Sequence, residues 1–227
     1  MKKIIVILFL LIYPTNLIAH IGHYIKFKKI EMDILRNGEV IGYNNYYFSK
    51  NNNDKVVVTN QIDFTVKLLG KTVFQIKGFG EEIYVKDQLV AFNSKTKQNK
   101  KNKFVNLVFD KNEKKFNIVG SSYSGTASND SIIGNWWNHR ILQADRQISP
   151  VSGSIKEQVV TFVGKEKLNL YGKDYEVHHF KLQSKDMSLP KDKRIDFDVW
   201  FDPINLLIIK VSYSRMGNWE YRLKNFD

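Results

Sequence analysis

From Ile25 to Phe226 the chain is a succession of strand-length apolar runs separated by residues that reverse direction, and this rhythm limits the fold more than any other feature. Asn37-Gly38 is the strongest signal. Both residues tolerate the left-handed backbone that a two-residue hairpin turn demands. It separates a strand over Ile25–Leu35 from one over Val40–Ser49. The next strand, Val56–Leu68, alternates, with Ile62, Phe64, Val66 and Leu68 on one face and Asp63, Thr65 and Lys67 on the other. Ile195–Phe201 behaves likewise, with Ile195, Phe197, Val199 and Phe201 turned inward. Gly78 and Gly80 interrupt the run Thr72–Val85 and predict a bulge or sharp bend. Gly164-Lys165 and Gly172-Lys173 read as turns. The chain thus predicts roughly a dozen strands joined by local hairpins, which pair antiparallel. No βαβ unit recurs. The expected fold is mainly β, a curved antiparallel sheet or half-barrel.

The stretch Ile132–Leu142 stands apart, because it holds two adjacent tryptophans, an asparagine, a histidine and an arginine between apolar residues. It is the best helix candidate after the N-terminus, with Asn129, Asp130 or Ser131 as its cap. The preceding residues, 120–131, are small and polar and read as a mobile surface loop. Trp137, Ile141 and Leu142 share a face by helical spacing. The expectation is one short helix packed on the concave side of the sheet. Trp136, Trp137, Asn138, His139 and Arg140 are the candidate ligand-binding residues. In that reading Trp136, His139 and Arg140 rim an apolar pocket, and Arg140 meets a phosphate or carboxylate. The competing reading is packing, with Trp137 and Leu142 in the core and Asn138 bonded to loop backbone.

Lys2 and Lys3, the apolar run Ile4–Tyr13 and a small residue at Ala19 form the pattern of a signal peptide over residues 1–19, with its helix. One β-rich domain, 20–227, follows. The apolar run is too short to span a bilayer, so no transmembrane span is expected after cleavage. An uncleaved anchor is the alternative. His20-Ile21-Gly22-His23 reads as a frayed polar terminus. Such a protein is expected in the periplasm or the medium of a Gram-negative bacterium. The sequence holds 0 cysteines, which removes disulfides and thiol chemistry. The net charge is +12, densest over Lys95–Lys103. For an exported chain, anionic lipid, lipopolysaccharide or acidic glycan is a better partner for that charge than nucleic acid. Plain solubility competes with both.

No constellation for catalysis emerges. His178 and His179 are adjacent on a strand and point to opposite faces, so they cannot share a metal. Asp196 and Asp198 lie on one face and read as a charged exterior balancing lysines, and Glu81-Glu82 reads the same way. No nucleophile elbow and no phosphate-binding glycine loop is present. The expectation is therefore no catalytic residue, no metal and no cofactor.

Four stretches carry a resemblance: residues 36–42 as an opening hairpin, 82–89 as a glutamate, aromatic, turn and leucine pattern, Trp137-Asn138, and 200–203 followed by 206–213 as a closing hairpin. On these the chain resembles the bacterial exported family called domain of unknown function 6134, with domain of unknown function 3108 as a relative. Gln88 stands where the family has a turn glycine. The resemblance implies a curved antiparallel sheet, broadly like the half-barrels of periplasmic lipoprotein carriers, and implies no reaction. The leading functional expectation is an exported β-rich protein that binds an apolar or lipid-like ligand in the cell envelope. The alternative is an envelope structural or assembly protein acting through protein contacts. A hydrolase is the weakest option.

Overall fold

The computed structural model describes residues 20–51 and 54–227, so the expected signal segment 1–19 lies outside the described residues. In chain order the elements are α1 (His20–Tyr24), β1 (Lys29–Arg36), β2 (Glu39–Lys50), β3 (Lys55–Leu68), β4 (Lys71–Val85), β5 (Gln88–Gln98), β6 (Lys101–Asp110), β7 (Lys115–Gly120) and β8 (Ser124–Ser128). There follow β9 (Ile132–Ile133), β10 (Arg146–Ile148), β11 (Ile155–Leu170), β12 (Lys173–Ser184), β13 (Asp196–Asp202), β14 (Leu207–Ser214) and β15 (Asn218–Phe226). All fifteen strands form one sheet, with β1 at its middle between β2 and β15, and with β8 and β9 as its two edges. Every pairing is antiparallel except β9 with β10.

The sheet must roll up. Laid flat, its edge strands would stand about 67 Å apart at the usual strand spacing of ~4.8 Å. Yet only residues 129–131 join β8 to β9, a link that reaches about 14 Å at most. The result is barrel-like, but β8 and β9 do not pair. The seam is bridged instead by single bonds: Arg146 Nη1 donates to Ser128 Oγ at 3.0 Å, and the Ser122 amide to the Ser152 carbonyl at 3.0 Å.

Alternate hairpins fall at opposite ends of this roll. The turns β1–β2, β3–β4, β5–β6 and β14–β15 lie at one end, and β2–β3, β4–β5, β6–β7 and β13–β14 at the other. Asn37-Gly38, Leu69-Gly70 and Met216-Gly217 all adopt left-handed backbone, as the hairpin signal at Asn37 predicts. The inward faces of the strands meet in one large core and in a small second cluster of Ile34, Phe64, Val66 and Trp219.

Several expectations need correction. Residues 132–142 are not an α-helix packed on the concave face. They are the two residues of β9, a loop with a turn at Trp136-Trp137, and a four-residue 3-10 turn over His139–Leu142. The amides that a helix would use internally go elsewhere: Gly134 donates to the Ile148 carbonyl at 2.9 Å and Trp136 to the Tyr46 hydroxyl at 3.1 Å. A Cβ at Gly134 would sit 2.6 Å from Gln147 Oε1, so a larger residue there would displace the glutamine amide. Residues 129–131 cap no helix and form the edge-to-edge link. The serine-rich stretch is not a free loop, because β8 lies within it. Gly164-Lys165 is no turn, because β11 runs through it with a bulge between Phe162 and Gly164. Conversely, β4 passes Gly78 and Gly80 in register, opposite Ile62 and Asn60.

The segment read as a frayed terminus is α1, which seals one end of the roll. Ile21 and Tyr24 are buried. The Ile21 amide donates to Asp87 Oδ1 at 2.6 Å. The Tyr24 hydroxyl donates to the Leu206 carbonyl at 3.1 Å, accepts from the His139 amide at 3.1 Å, and lies 2.6 Å from His139 Nδ1. Tyr24→Phe keeps the ring and strands these partners. It should lower the unfolding free energy by about 2 kcal/mol, the usual cost of orphaned buried polar groups, as read by urea denaturation.

Candidate functional site

Inside the roll, on the side away from α1, lies a cavity of about 570 Å³. Strand parity builds its walls. On β3, Ile62, Phe64 and Val66 face it, and on β4 so do Phe74, Ile76, Gly78 and Gly80. The glycines act by omission. A Cβ at Gly78 would lie 3.0 Å from both Ile62 Cγ2 and Thr96 Oγ1, and one at Gly80 would lie 3.3 Å from Phe92. Two side chains that would project into the hollow are therefore absent. Gly134, Asn135 and Trp136 form its inner boundary, and its mouth lies among the β1–β2, β3–β4 and β14–β15 hairpins.

The wall is apolar with few free polar groups. Asn60 donates to Asn44 Oδ1 at 2.6 Å, Asn44 to the Tyr46 hydroxyl at 2.7 Å, and Ser94 to the Pro150 carbonyl at 2.6 Å. These bonds consume the polarity that would otherwise hold water. Among the described residues, the only charged side chains lining the cavity are Arg36 and Arg215, both at the mouth. Arg36 donates to the Met216 carbonyl at 2.5 Å and Arg215 to the Arg194 carbonyl at 2.9 Å, so backbone acceptors position both cations.

The five sequence candidates part company here. Trp136 lines the cavity, and its ring meets Phe197 edge-on at 5.2 Å. Trp137 points the other way into the core, ringed by Tyr24, Phe48 and Tyr84 at 4.9, 5.5 and 5.9 Å. Asn138 is buried, and its Oδ1 accepts from the Arg140 amide, which starts the 3-10 turn. His139 is engaged with Tyr24. Arg140 is exposed and lies 3.7 Å from Asp87. Only Trp136 among them lines the cavity, and the cationic rim is supplied by Arg36 and Arg215.

Glu82, which the sequence pattern places on the exterior, is one of the most buried carboxyls, at 2% exposure. Its Oε1 accepts from Trp137 Nε1 at 2.9 Å and Asn135 Nδ2 at 2.6 Å, and its Oε2 from the Tyr84 hydroxyl at 2.6 Å. Burial pushes its pKa up, and the three donors oppose that without cancelling it. The parity of β4 held the signal: Glu82 is an even-numbered neighbour of Gly78, Gly80 and Tyr84, all inward. Asp196 and Asp198 are exterior as expected, both bonded to Lys181, at 2.7 and 2.8 Å. His179 lies on that outer face between Glu166 and Asp198, and His178 stands on the other face near Phe201.

No curated protein matches the chain. Among solved structures, the fold is similar to a β-barrel-like protein of domain of unknown function DUF1849 from Brucella abortus. The TM-score is 0.55 at 10% identity, over 88% of this chain and 95% of that one. A protein inferred to be exported, of YmcC-like fold, from Bacteroides fragilis aligns over 88% of this chain and 94% of its own, with 12% identity and a TM-score of 0.36. No helix among the described residues is long and apolar enough to cross a membrane. The profile of the domain of unknown function DUF6134 matches residues 32–224. That span takes in both the Glu82 stretch and Trp137-Asn138, which the fold joins through a buried hydrogen bond, and the chain belongs to the DUF6134 family.

Proposed function

We propose that this protein binds an apolar ligand with an acyl-chain-like body and an anionic head, in the cell envelope and without catalysis. One observation carries the reading: a cavity of about 570 Å³ with apolar walls, whose only charged lining groups among the described residues are two arginines at its mouth. That volume falls within the ~300–1,000 Å³ of small-molecule sites. An apolar chain inside gains from leaving water, and a carboxylate or phosphate at the mouth meets Arg36 and Arg215.

The test is titration with a dansyl-labelled fatty acid, alongside native mass spectrometry of gently purified protein. Ile76→Trp puts an indole into the cavity from β4 and should weaken binding about ten-fold or more, with the circular dichroism spectrum unchanged. Arg215→Gln should weaken binding of the fatty acid more than that of the matching fatty alcohol. Wild-type protein that carries no lipid and binds no probe sinks the proposal, and so does Ile76→Trp protein that binds as well as wild type.

A further inference from the structure

We infer that the open end of the roll docks on an anionic lipid bilayer. The observation concerns the outside of the molecule, so it stands whether or not the cavity takes a ligand.

Charge is distributed unevenly between the two ends. The stretches 36–39, 67–71, 97–103, 185–195 and 215–217, at the cavity's end, hold twelve lysines and arginines against three carboxylates, Glu39, Asp186 and Asp192. At the opposite end, the stretches 25–28, 50–55, 86–87, 110–115, 129–131 and 202–206 hold eight cations and six carboxylates. A field of that polarity turns the cavity mouth toward a negative surface.

Apolar groups sit where such a surface would touch. Leu69 is 95% exposed and Met216 is 91% exposed, each at the tip of a hairpin at this end. The β3–β4 hairpin also overhangs its neighbours. Its ladder continues to Leu68 opposite Lys71, whereas β2 pairs no further than Phe64 on one side and β5 no further than Ile76 on the other. Leu68, Leu69 and Val73 are all exposed on this projecting finger, flanked by Lys67 and Lys71.

The turn residues themselves are unexpected. Leu69 and Met216 hold φ of 48° and 51°, a left-handed conformation that disfavours residues with a bulky Cβ substituent. The equivalent positions in the β1–β2 and β5–β6 hairpins are Asn37 and Asn99, which tolerate it. At two hairpins of one end, then, an apolar side chain stands in water on backbone that would prefer asparagine. Contact with lipid offsets both penalties. Apolar tips among lysines make the two-part signal, insertion plus charge, that interfacial binding needs.

The experiment is flotation of the purified protein with phosphatidylcholine vesicles, with and without added phosphatidylglycerol. Wild type should float with the anionic vesicles only and detach as salt rises, since screening shortens the reach of the field. Leu69→Asn and Met216→Asn suit the left-handed turns and should fold at least as well as wild type. Together they should weaken vesicle binding about ten-fold. Ile204→Asn, at an apolar residue 79% exposed at the opposite end, should change nothing. The inference is overturned if the double variant floats like wild type, if neutral vesicles serve equally well, or if Ile204→Asn matches the double variant. It is overturned in favour of self-association if wild type elutes as a dimer that Leu69→Asn disperses. Fatty-acid binding by Leu69→Asn should match wild type, which separates this result from failure of the cavity.

Discussion

Trp137→Ala should lower the unfolding free energy by about 5 kcal/mol, the top of the range for removing a buried aromatic. The indole is 1% exposed, and three aromatic rings enclose it. Those rings belong to α1, β2 and β4, so collapse around the gap would have to move three elements together. The truncation also removes the Nε1 donor from Glu82 Oε1. For a chain of this length, about 5 kcal/mol corresponds to a Tm lower by roughly 10–20 °C. Trp137→Phe keeps most of the ring burial and loses the donor, and should cost about half as much. Calorimetry of the two variants separates the packing from the bond. Equal losses for Phe and Ala would show that the hydrogen bond dominates.

Glu82→Ala is the second large effect, at about 3–4 kcal/mol. It leaves the Trp137 indole, the Asn135 amide and the Tyr84 hydroxyl without their acceptor inside the core. Glu82→Gln should cost only about 1 kcal/mol, because the amide oxygen can still accept twice while its nitrogen donates to the Tyr84 oxygen. Glu82 and Trp137 share a bond, so the double alanine variant should be less damaged than the two single losses added, by about 1 kcal/mol or more. The carboxyl also titrates with a readable sign. Its folded pKa is raised above the ordinary 4.5 by burial. Between those two values the native state holds the proton more tightly than the unfolded chain does. Stability from this group is therefore greatest below pH 4.5 and falls as pH climbs to the raised value, by at most about 1.4 kcal/mol per pH unit. Glu82→Gln should flatten that part of the profile in urea melts taken across pH. A profile identical to wild type would refute the assignment.

The fold was legible where local chemistry decides it. Asn37-Gly38 marks a hairpin because its backbone needs are met by the residues themselves, and the alternation of Ile62, Phe64 and Val66 shows which face turns inward. Long-range demands hid the rest. Nothing local tells that the Gly134 and Trp136 amides are taken by the Ile148 carbonyl and the Tyr46 hydroxyl, which leaves no helix there. The short strands β8, β9 and β10 carry no long apolar run to mark them, and each takes its pairing from a strand adjacent in the chain. Gly78 and Gly80 signalled a bend by the usual rule, whereas their role is to leave a wall without side chains. The site was half legible. Trp136 was found from its company, but the arginines that line the mouth come from strand ends remote from it. Glu82 was missed because a charge pair on a strand reads as exterior unless its parity is followed from the glycines.

The arrangement of strands around β1 has a bearing on how the chain assembles. Both sheet margins come from the centre of the sequence, while Lys28 and Asp227, near the two ends of the described chain, are hydrogen bonded to each other. Strands β1–β8 follow one another as a meander, and so do β10–β15, with β9 laid parallel to β10; every pairing is between sequence neighbours except β1 with β15. Each half can zip up from nearby contacts at little loop-closure cost. The one remote pairing, Arg36 opposite Trp219, then unites them as the late event. Seen as a ring, the strands run as a zigzag nicked between β8 and β9, with β9 alone parallel to its neighbour, and a circular permutant opened at residues 129–131, with the chain joined from Asp227 to Lys28 through a linker, would hold every ladder between consecutive strands.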